Sequence, residues 1–281
     1  MNYRHVFHAG NFADVFKHAV LARILVHLCE KPQPFRVLDT HAGTGVYDLE
    51  GTQASRTGEW REGIGRLVQQ NPTSKAAVLL KPYLDTVAAL NAKDALKFYP
   101  GSPQLALSLM REQDRLVACE LEPRAAATQA GHLRRDKRAK AVEADGWQAL
   151  NAYLPPPERR GLVVIDPPFE DKNEFENIAN GLELGQRKWE SGTYLVWYPI
   201  KGTGTSAFMR RLRKLAIPKM LRTELHVRGA RADSFTGSGL VVVNPPWRLA
   251  EELTILLPAL QAVLAQGPGS RTVLESLGDK F

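Results

Sequence analysis

The sequence predicts an α/β fold: a mostly parallel, seven-stranded, Rossmann-like sheet with helices on both faces, closed at one edge by an antiparallel hairpin. Three observations lead there. Five short apolar runs alternate with helical patterns: FRVLD (35–39), LVACE (116–120), KAVEA (140–144), LVVID (162–166) and TYLVWY (193–198). Strands separated by helices pair in parallel through right-handed crossovers. Two further runs, LRTELHV (221–227) and GLVVVN (239–244), have only a Gly-containing turn region between them, which makes them the hairpin. Finally, 281 residues with 44% hydrophobic and 24% charged side chains suit a globular chain of one elaborated domain or a core with a second module.

The elements follow in order. The first ten residues, MNYRHVFHAG, carry a load of aromatic, His and Arg side chains that a merely fraying terminus does not need. From Ala13 to Cys29 the residues Val15, Phe16, Ala19, Val20, Ile24, Leu25 and Leu28 recur at helical spacing, which predicts an amphipathic helix. Asp14 sits in its first turn, where a carboxylate complements the helix dipole. Pro32 and Pro34 end the helix, and the first strand runs into the loop THAGTG (40–45). Between Gly51 and Tyr99 only helical patterns occur, around 57–70 and 74–92. Residues 52–99 are therefore expected to be a small helical insertion subdomain in a core made of 1–51 and 100–281.

Composition excludes several classes. No run approaches the roughly 18 apolar residues of a membrane span, and no signal pattern opens the chain, so a cytoplasmic protein is expected. Cys29 and Cys119 are the only cysteines, which argues against a disulfide framework or a thiolate zinc site. His5, His8, His18 and His41 lack the spacing of a metal site, so no metal is expected. Lys and Arg number 37 against 30 Asp and Glu, and the net charge of +7 points to a polyanionic partner. Two stretches concentrate that charge: eight cations against Glu224 between Arg210 and Arg231, and Arg134, Arg135, Lys137, Arg138 and Lys140 around Asp136. Either could touch phosphate or simply be a solvated face.

The chemistry gathers at strand ends. The loop from Asp39 to Gly45 follows a strand, where nucleotide folds place a glycine turn, although His41 stands where GxGxxG has its first glycine. Glu120 ends the second strand of the alternation, the position at which a carboxylate can accept from both hydroxyls of a ribose. It lies 81 residues past Asp39, and setting 52–99 aside leaves 33, against about 20 in a dinucleotide fold. After the third strand, Asp145 could accept from an adenine amino group while Gly146 admits the ring. The sharpest signal is Asp166-Pro167-Pro168-Phe169 after LVVID. An exocyclic amine on adenine or cytosine is a poor nucleophile because its lone pair is delocalised into the ring. To attack a methyl sulfonium it needs acceptors that draw its hydrogens out of plane. The Asp166 carboxylate and Pro167 carbonyl supply two, the prolines fix the loop, and Phe169 offers a face to an extruded base. A second copy, Asn244-Pro245-Pro246-Trp247, follows an antiparallel strand and so should lie at the opposite edge of the sheet, away from the ligand crevice. Parallel strands that finish in a hairpin give the outline of a class I methyltransferase, which uses S-adenosylmethionine.

Taken together, YRHVFHAGN-ADV-KH (3–18), LDTHAGTG (38–45), FYPGSP (98–103), ADG (144–146) and IDPPF (165–169) resemble the RlmJ family, large-subunit (23S) ribosomal RNA adenine-N6 methyltransferases dependent on S-adenosylmethionine. The resemblance runs from Tyr3 to the NPPW near the C-terminus. It implies that His18, His41, Ser102, Glu120, Asp145 and Gly146 contact the cofactor, together with Asp166, the catalytic acceptor. It also implies that Tyr3 lies near the target adenosine and that Lys17, with the N-terminal segment, closes over the site. Phe169 departs from the Tyr common in such loops, which keeps stacking and loses a phenolic hydrogen bond. The implied partner is 23S ribosomal RNA, naked or partly assembled, and the implied enzyme a monomer. Adenine-N6 methylation of DNA, a cofactor-binding RNA scaffold without turnover, and a nicotinamide oxidoreductase are the alternatives, the last disfavoured by the DPPF loop and the hairpin.

Overall fold

The computed structural model describes residues 5–70, 75–92, 95–201, 204–230 and 234–278. A 3₁₀ turn at His5–Phe7 leads into helix α1 (Phe12–Cys29), capped by Asn11, whose side chain accepts from the Ala13 and Asp14 amides. Strands β1 (Arg36–Asp39) and β2 (Val46–Asp48) follow, then helices α2 (Thr52–Thr57), α3 (Ile64–Gln70) and α4 (Lys75–Ala89). Strand β3 (Phe98–Pro100) pairs antiparallel with β2 in a two-stranded ribbon that three-residue runs were too short to announce. Alternation then proceeds as expected through α5 (Ser102–Leu109), β4 (Arg115–Glu120), α6 (Pro123–Leu133), β5 (Ala139–Glu143) and α7 (Gly146–Tyr153). It continues with β6 (Gly161–Ile165), α8 (Glu174–Lys188), β7 (Thr193–Lys201) and α9 (Gly204–Arg213). The chain closes with β8 (Met220–His226), β9 (Phe235–Val243), α10 (Leu249–Leu264) and β10 (Arg271–Ser276).

The main sheet has the order β10-β8-β9-β7-β6-β1-β4-β5. From β5 to β7 the neighbours are parallel, and β9 runs antiparallel to both β7 and β8, so the fold is that of a class I methyltransferase. The sheet has eight strands where seven were predicted. β10 is added antiparallel to β8 at the edge, and its half-exposed residues carry too little apolar pattern to be read as a strand. The internal strands are buried on both faces. On β6, Leu162 and Val164 face the layer of α1, α5 and α10, while Val163 and Ile165 face that of α7, α8 and α9.

Helix α1 differs from its prediction. Sixteen of its 18 residues are buried, because α4, α5, α10 and β9 pack around it, so the periodic apolar stripe is only part of a helix enclosed on nearly all sides. Its polar residues therefore need internal partners. Arg23 meets Glu252 of α10 through two bonds of 2.8 and 2.7 Å. Burial would raise the Glu252 carboxyl, but hydrogen bonds from His27 and Arg23 hold it down at about 2. In the 52–99 segment, Ile64, Leu67, Leu80, Tyr83 and Val87 join the same buried cluster as α1.

Strand direction also places the two basic stretches. α9 and α6 each start at the C-terminal edge of the parallel strands and run away from it, so Arg210, Arg213 and Lys214, and likewise Arg134 to Lys140, come to the far edge of the sheet. Several of these cations are already neutralised: Arg211 by Glu176 and Glu183, Arg213 and Arg222 by Glu275, Arg138 by Asp136. Among the described residues neither stretch lines the crevice; Arg231 lies outside the described residues.

Candidate active site

The sheet order reverses between β1 and β6, and a crevice opens over the C-terminal ends of the parallel strands there, as doubly wound sheets require. A cleft of about 860 Å³ occupies it, bordered by the loops after β1, β4, β5 and β6 and by α1. Its described lining carries nine carboxylate residues against three cations, Lys17, Arg124 and Lys201.

At the floor, Lys17 of α1 bridges two acids. Its Nζ donates to Asp14 Oδ1 at 2.8 Å and to Asp166 Oδ2 in a short contact. Asp14 in turn accepts from the Gly10 amide at 3.0 Å and pairs with His5 at 2.9 Å. Burial would raise the Asp14 carboxyl, but the charges of His5 and Lys17 hold it well below the usual carboxylate range. Burial would likewise lower the Lys17 ammonium, and the two flanking carboxylates raise it instead, so Lys17 stays charged. With a side chain only 4% exposed, Lys17 is a buried bridge between the two acids. Asp166, 149 residues away, is thereby held through one of its oxygens at the edge of the cleft.

The loop after β1 is shaped by Gly43 and Gly45, with φ of +61° and +87°, a region only glycine adopts without strain. The Gly43 amide donates to Glu120 at 2.9 Å, and the Glu122 amide donates to the other Glu120 oxygen at 2.8 Å. Glu120 is thus aimed by the backbone before any ligand arrives. The Thr40 hydroxyl donates to the Val164 carbonyl at 2.9 Å and so must accept from His41 Nδ1 at 2.7 Å, which leaves His41 Nε2 as an acceptor. Burial pushes the His41 imidazole down to about 4, so the ring is neutral at physiological pH. Asp145 caps α7 through the Gln148 amide at 2.9 Å. A Cβ on Gly146 would lie 2.3 Å from the Thr40 carbonyl and 2.8 Å from the His41 ring, so the protein's own packing demands glycine at this position of the cleft lining. Ser102 opens α5 at the cleft wall, buried and beside Asp39.

His18 lies deeper, 1% exposed and stacked on Tyr99, with Nδ1 bonded to the Tyr99 hydroxyl at 2.8 Å. Burial and the neighbouring Lys17 charge push it down to about 3, and its Nε2 has no partner among the described residues. Phe169 adopts φ of +54°, a strained value for a non-glycine residue. Its ring meets Phe175 at 5.0 Å and Trp197 at 5.6 Å, both edge-on, at the other side of the Asp166 loop. Tyr3 lies outside the described residues. Asn244 turns away from the crevice, donating to the Glu190 and Gly192 carbonyls beside the start of β7, as its strand direction predicts. Among the described residues, no group of three His, Cys, Asp or Glu side chains could hold a metal ion, and no helix is long and apolar enough to cross a membrane.

Sequence reasoning missed two acids of this site, Asp14 as an ion-pair partner and Asp39. Asp14 precedes Lys17 by three residues, one helical turn, which was the available signal. Asp39 is 1% exposed, and no donor meets its oxygens in good hydrogen-bond geometry. Burial pushes its carboxyl up to about 7, an effect that the Ser102 hydroxyl only tempers. Because the folded value lies above the unfolded one, the stability it contributes is present below about 3.8 and lost as pH rises through 7. Asp39→Asn, which mimics the protonated acid, should therefore melt increasingly above the ligand-free parent as pH goes from 5 to 8, by several degrees. A melting-temperature difference that does not change with pH would show that Asp39 is already ionised.

Residues 32–275 match the family model described as ribosomal RNA large subunit methyltransferase D, RlmJ. The Escherichia coli K12 protein named ribosomal RNA large subunit methyltransferase J is 41% identical over 276 residues, covering 97% of this chain and 98% of its own. The protein of the same name from Haemophilus influenzae is 40% identical over 277 residues, with the same coverage. A crystal structure of a protein from Legionella pneumophila superposes with a TM-score of 0.87 at 37% identity, covering 96% of this chain and 98% of that one. Strand order, the loops at the crevice and these full-length relationships agree: the chain belongs to the RlmJ family.

Proposed function

We propose that this protein methylates N6 of a specific adenine in 23S ribosomal RNA, using S-adenosylmethionine, as a cytoplasmic monomer acting on naked or partly assembled RNA. The observation that carries this is the Asp166-Pro167-Pro168-Phe169 loop at the switch point of the sheet, with Lys17 locking one Asp166 oxygen. Both relatives named ribosomal RNA large subunit methyltransferase J support RNA as the substrate.

The cleft suits the cofactor by its donor set. A cation is favoured where nine carboxylates face three cations, and about 860 Å³ leaves room for the cofactor and a base together. When bound, S-adenosylmethionine supplies an electrophilic methyl group on a positively charged sulfur. Glu120, pre-aimed by two amides, would accept from the ribose hydroxyls, and Asp145 from the adenine amino group. The orphaned His18 Nε2 and the acceptor Nε2 of neutral His41 offer two more polar contacts. The Ser102 amide at the start of α5 would meet a carboxylate, while the Gly101 amide donates to the Gly45 carbonyl at 2.8 Å and shapes the wall.

For the base, the free Asp166 oxygen and the Pro167 carbonyl would accept the two N6 hydrogens and turn the nitrogen lone pair toward the methyl group. Lys17 fixes the Asp166 rotamer through its buried bridge, so little reorganisation remains at the moment of transfer. Phe169 would face the extruded base. Gly146→Ala should move the Thr40–His41 loop, lowering S-adenosylmethionine affinity by about tenfold, on the scale of overpacking strain. Calorimetric titration measures this, and unchanged affinity would mean that the loop yields freely.

The deciding experiment is transfer of radiolabelled methyl groups to protein-free unmodified 23S ribosomal RNA, beside genomic DNA, with Asp166→Ala as control. Label as N6-methyladenosine in RNA alone, lost in the variant, supports the proposal. Label in DNA would replace the substrate, and cofactor binding without label in either would favour a scaffold or an assembly intermediate as substrate.

A further inference from the structure

Strand β7 is longer than its parallel neighbour. β6 pairs with it only from Thr193 to Val196, so Trp197 to Lys201 project past the crevice edge held by β9 alone. Along this projection Trp197, Pro199 and Lys201 alternate onto the cleft side, and Phe235, register partner of Lys201 on β9, lines the cleft with them. An irregularity at Ile200/Lys201 marks the tip, the kind of bulge that re-aims side chains beside active sites. The aromatic rings are continuous: Phe169 meets Trp197 at 5.6 Å, and Trp197 meets Phe235 at 6.4 Å, both edge-on. Trp197 is fixed by its Nε1–H bond to Ser238 Oγ at 2.8 Å, and Phe235 by its ring contact with Phe12 at 4.9 Å.

Charge decides what this ribbon can meet. A polyanion entering a cleft lined by nine carboxylates needs a cation at its entry. Lys17 is committed to Asp14 and Asp166, and Arg124 stands next to Glu122 on the side of Glu120. Lys201 is exposed, pairs with no carboxylate among the described residues, and lies on the side of the Asp166-Pro167-Pro168-Phe169 loop and its aromatic rings. We infer that the projecting end of the β7–β9 ribbon is a second nucleotide subsite, in which the residue flanking the extruded adenine stacks on Phe235 and Pro199 while Lys201 holds its phosphate. Rigid aromatic rings and one cation are what a sequence-tolerant single-strand platform requires. This subsite rests on the RNA-methylation reading of the Asp166 loop.

Lys201→Glu and Phe235→Leu test it, in steady-state methyl transfer to protein-free 23S ribosomal RNA and in filter binding across a salt series. Lys31→Glu, an exposed cation at the far edge, is the control. We expect KM for RNA to rise about tenfold in each variant, with kcat, S-adenosylmethionine affinity and melting temperature close to those of the parent. The salt slope of binding should flatten by about one unit in Lys201→Glu and not in Lys31→Glu. A parent that methylates RNA while both variants keep its KM and salt slope overturns the subsite alone. A parent that binds S-adenosylmethionine and methylates no RNA overturns the underlying function, and the subsite with it.

Discussion

Asp166→Ala is expected to fold, to bind S-adenosylmethionine within a few-fold of the parent, and to transfer methyl groups more slowly by on the order of 10²–10³-fold, the effect of removing one preorganised polar group from a transition state. Folding survives because the substitution leaves Lys17 paired with Asp14 at 2.8 Å, a balanced buried pair. The rate falls because the N6 hydrogens lose one of two acceptors and Lys17 loses the group it orients. Single-turnover rates at saturating cofactor measure the effect directly. Loss of less than about tenfold would mean that the Pro167 carbonyl and positioning carry the reaction without the carboxylate.

Lys17→Met has the larger effect on the fold. It leaves Asp14 and Asp166, with side chains 3% and 13% exposed, as two carboxylates around an apolar chain. Breaking a buried pair by removing one partner costs about 3–5 kcal/mol, and activity should fall with the lost orientation of Asp166. The double variant Lys17→Met/Asp14→Asn removes one of the stranded charges and should recover part of the stability without recovering the rate. Urea unfolding read beside methyl-transfer assays separates the two effects. A single variant as stable as the parent would show that the bridge contributes nothing net to folding.

What the sequence discloses here is whatever a short window can hold. The five alternating strands, the hairpin and the Asp166 loop are each local patterns, and strand direction alone was enough to send Asn244 to the far edge, where its side chain meets Glu190 and Gly192. The place of Glu120 at a strand end beside the cleft was legible because strand LVACE ends on it. The partnership of Lys17 with Asp166 spans 149 residues and leaves no local trace. The same distance effect misleads about charge. Arg213 looks uncompensated in its own window, yet it finds Glu275 on the edge strand β10, itself hidden by its half-exposed pattern. The packing that demands glycine at Gly146 was not legible, since no sequence window shows the Thr40 carbonyl lying where a side chain would go.

Helix α1 has a consequence for how the enzyme comes into being. The surfaces that enclose it include α4 and α5, near it in the chain, but also β9, α10 and the Glu252 that neutralises Arg23, which are made 200 or more residues later. A helix whose burial depends on such distant contacts cannot be fixed until they arrive, since loop closure must come before the contacts that reward it. Lys17, Asp14 and His18 ride on that helix. The orientation of Asp166 by Lys17 therefore depends on β9 and α10 having packed around the helix that carries Lys17.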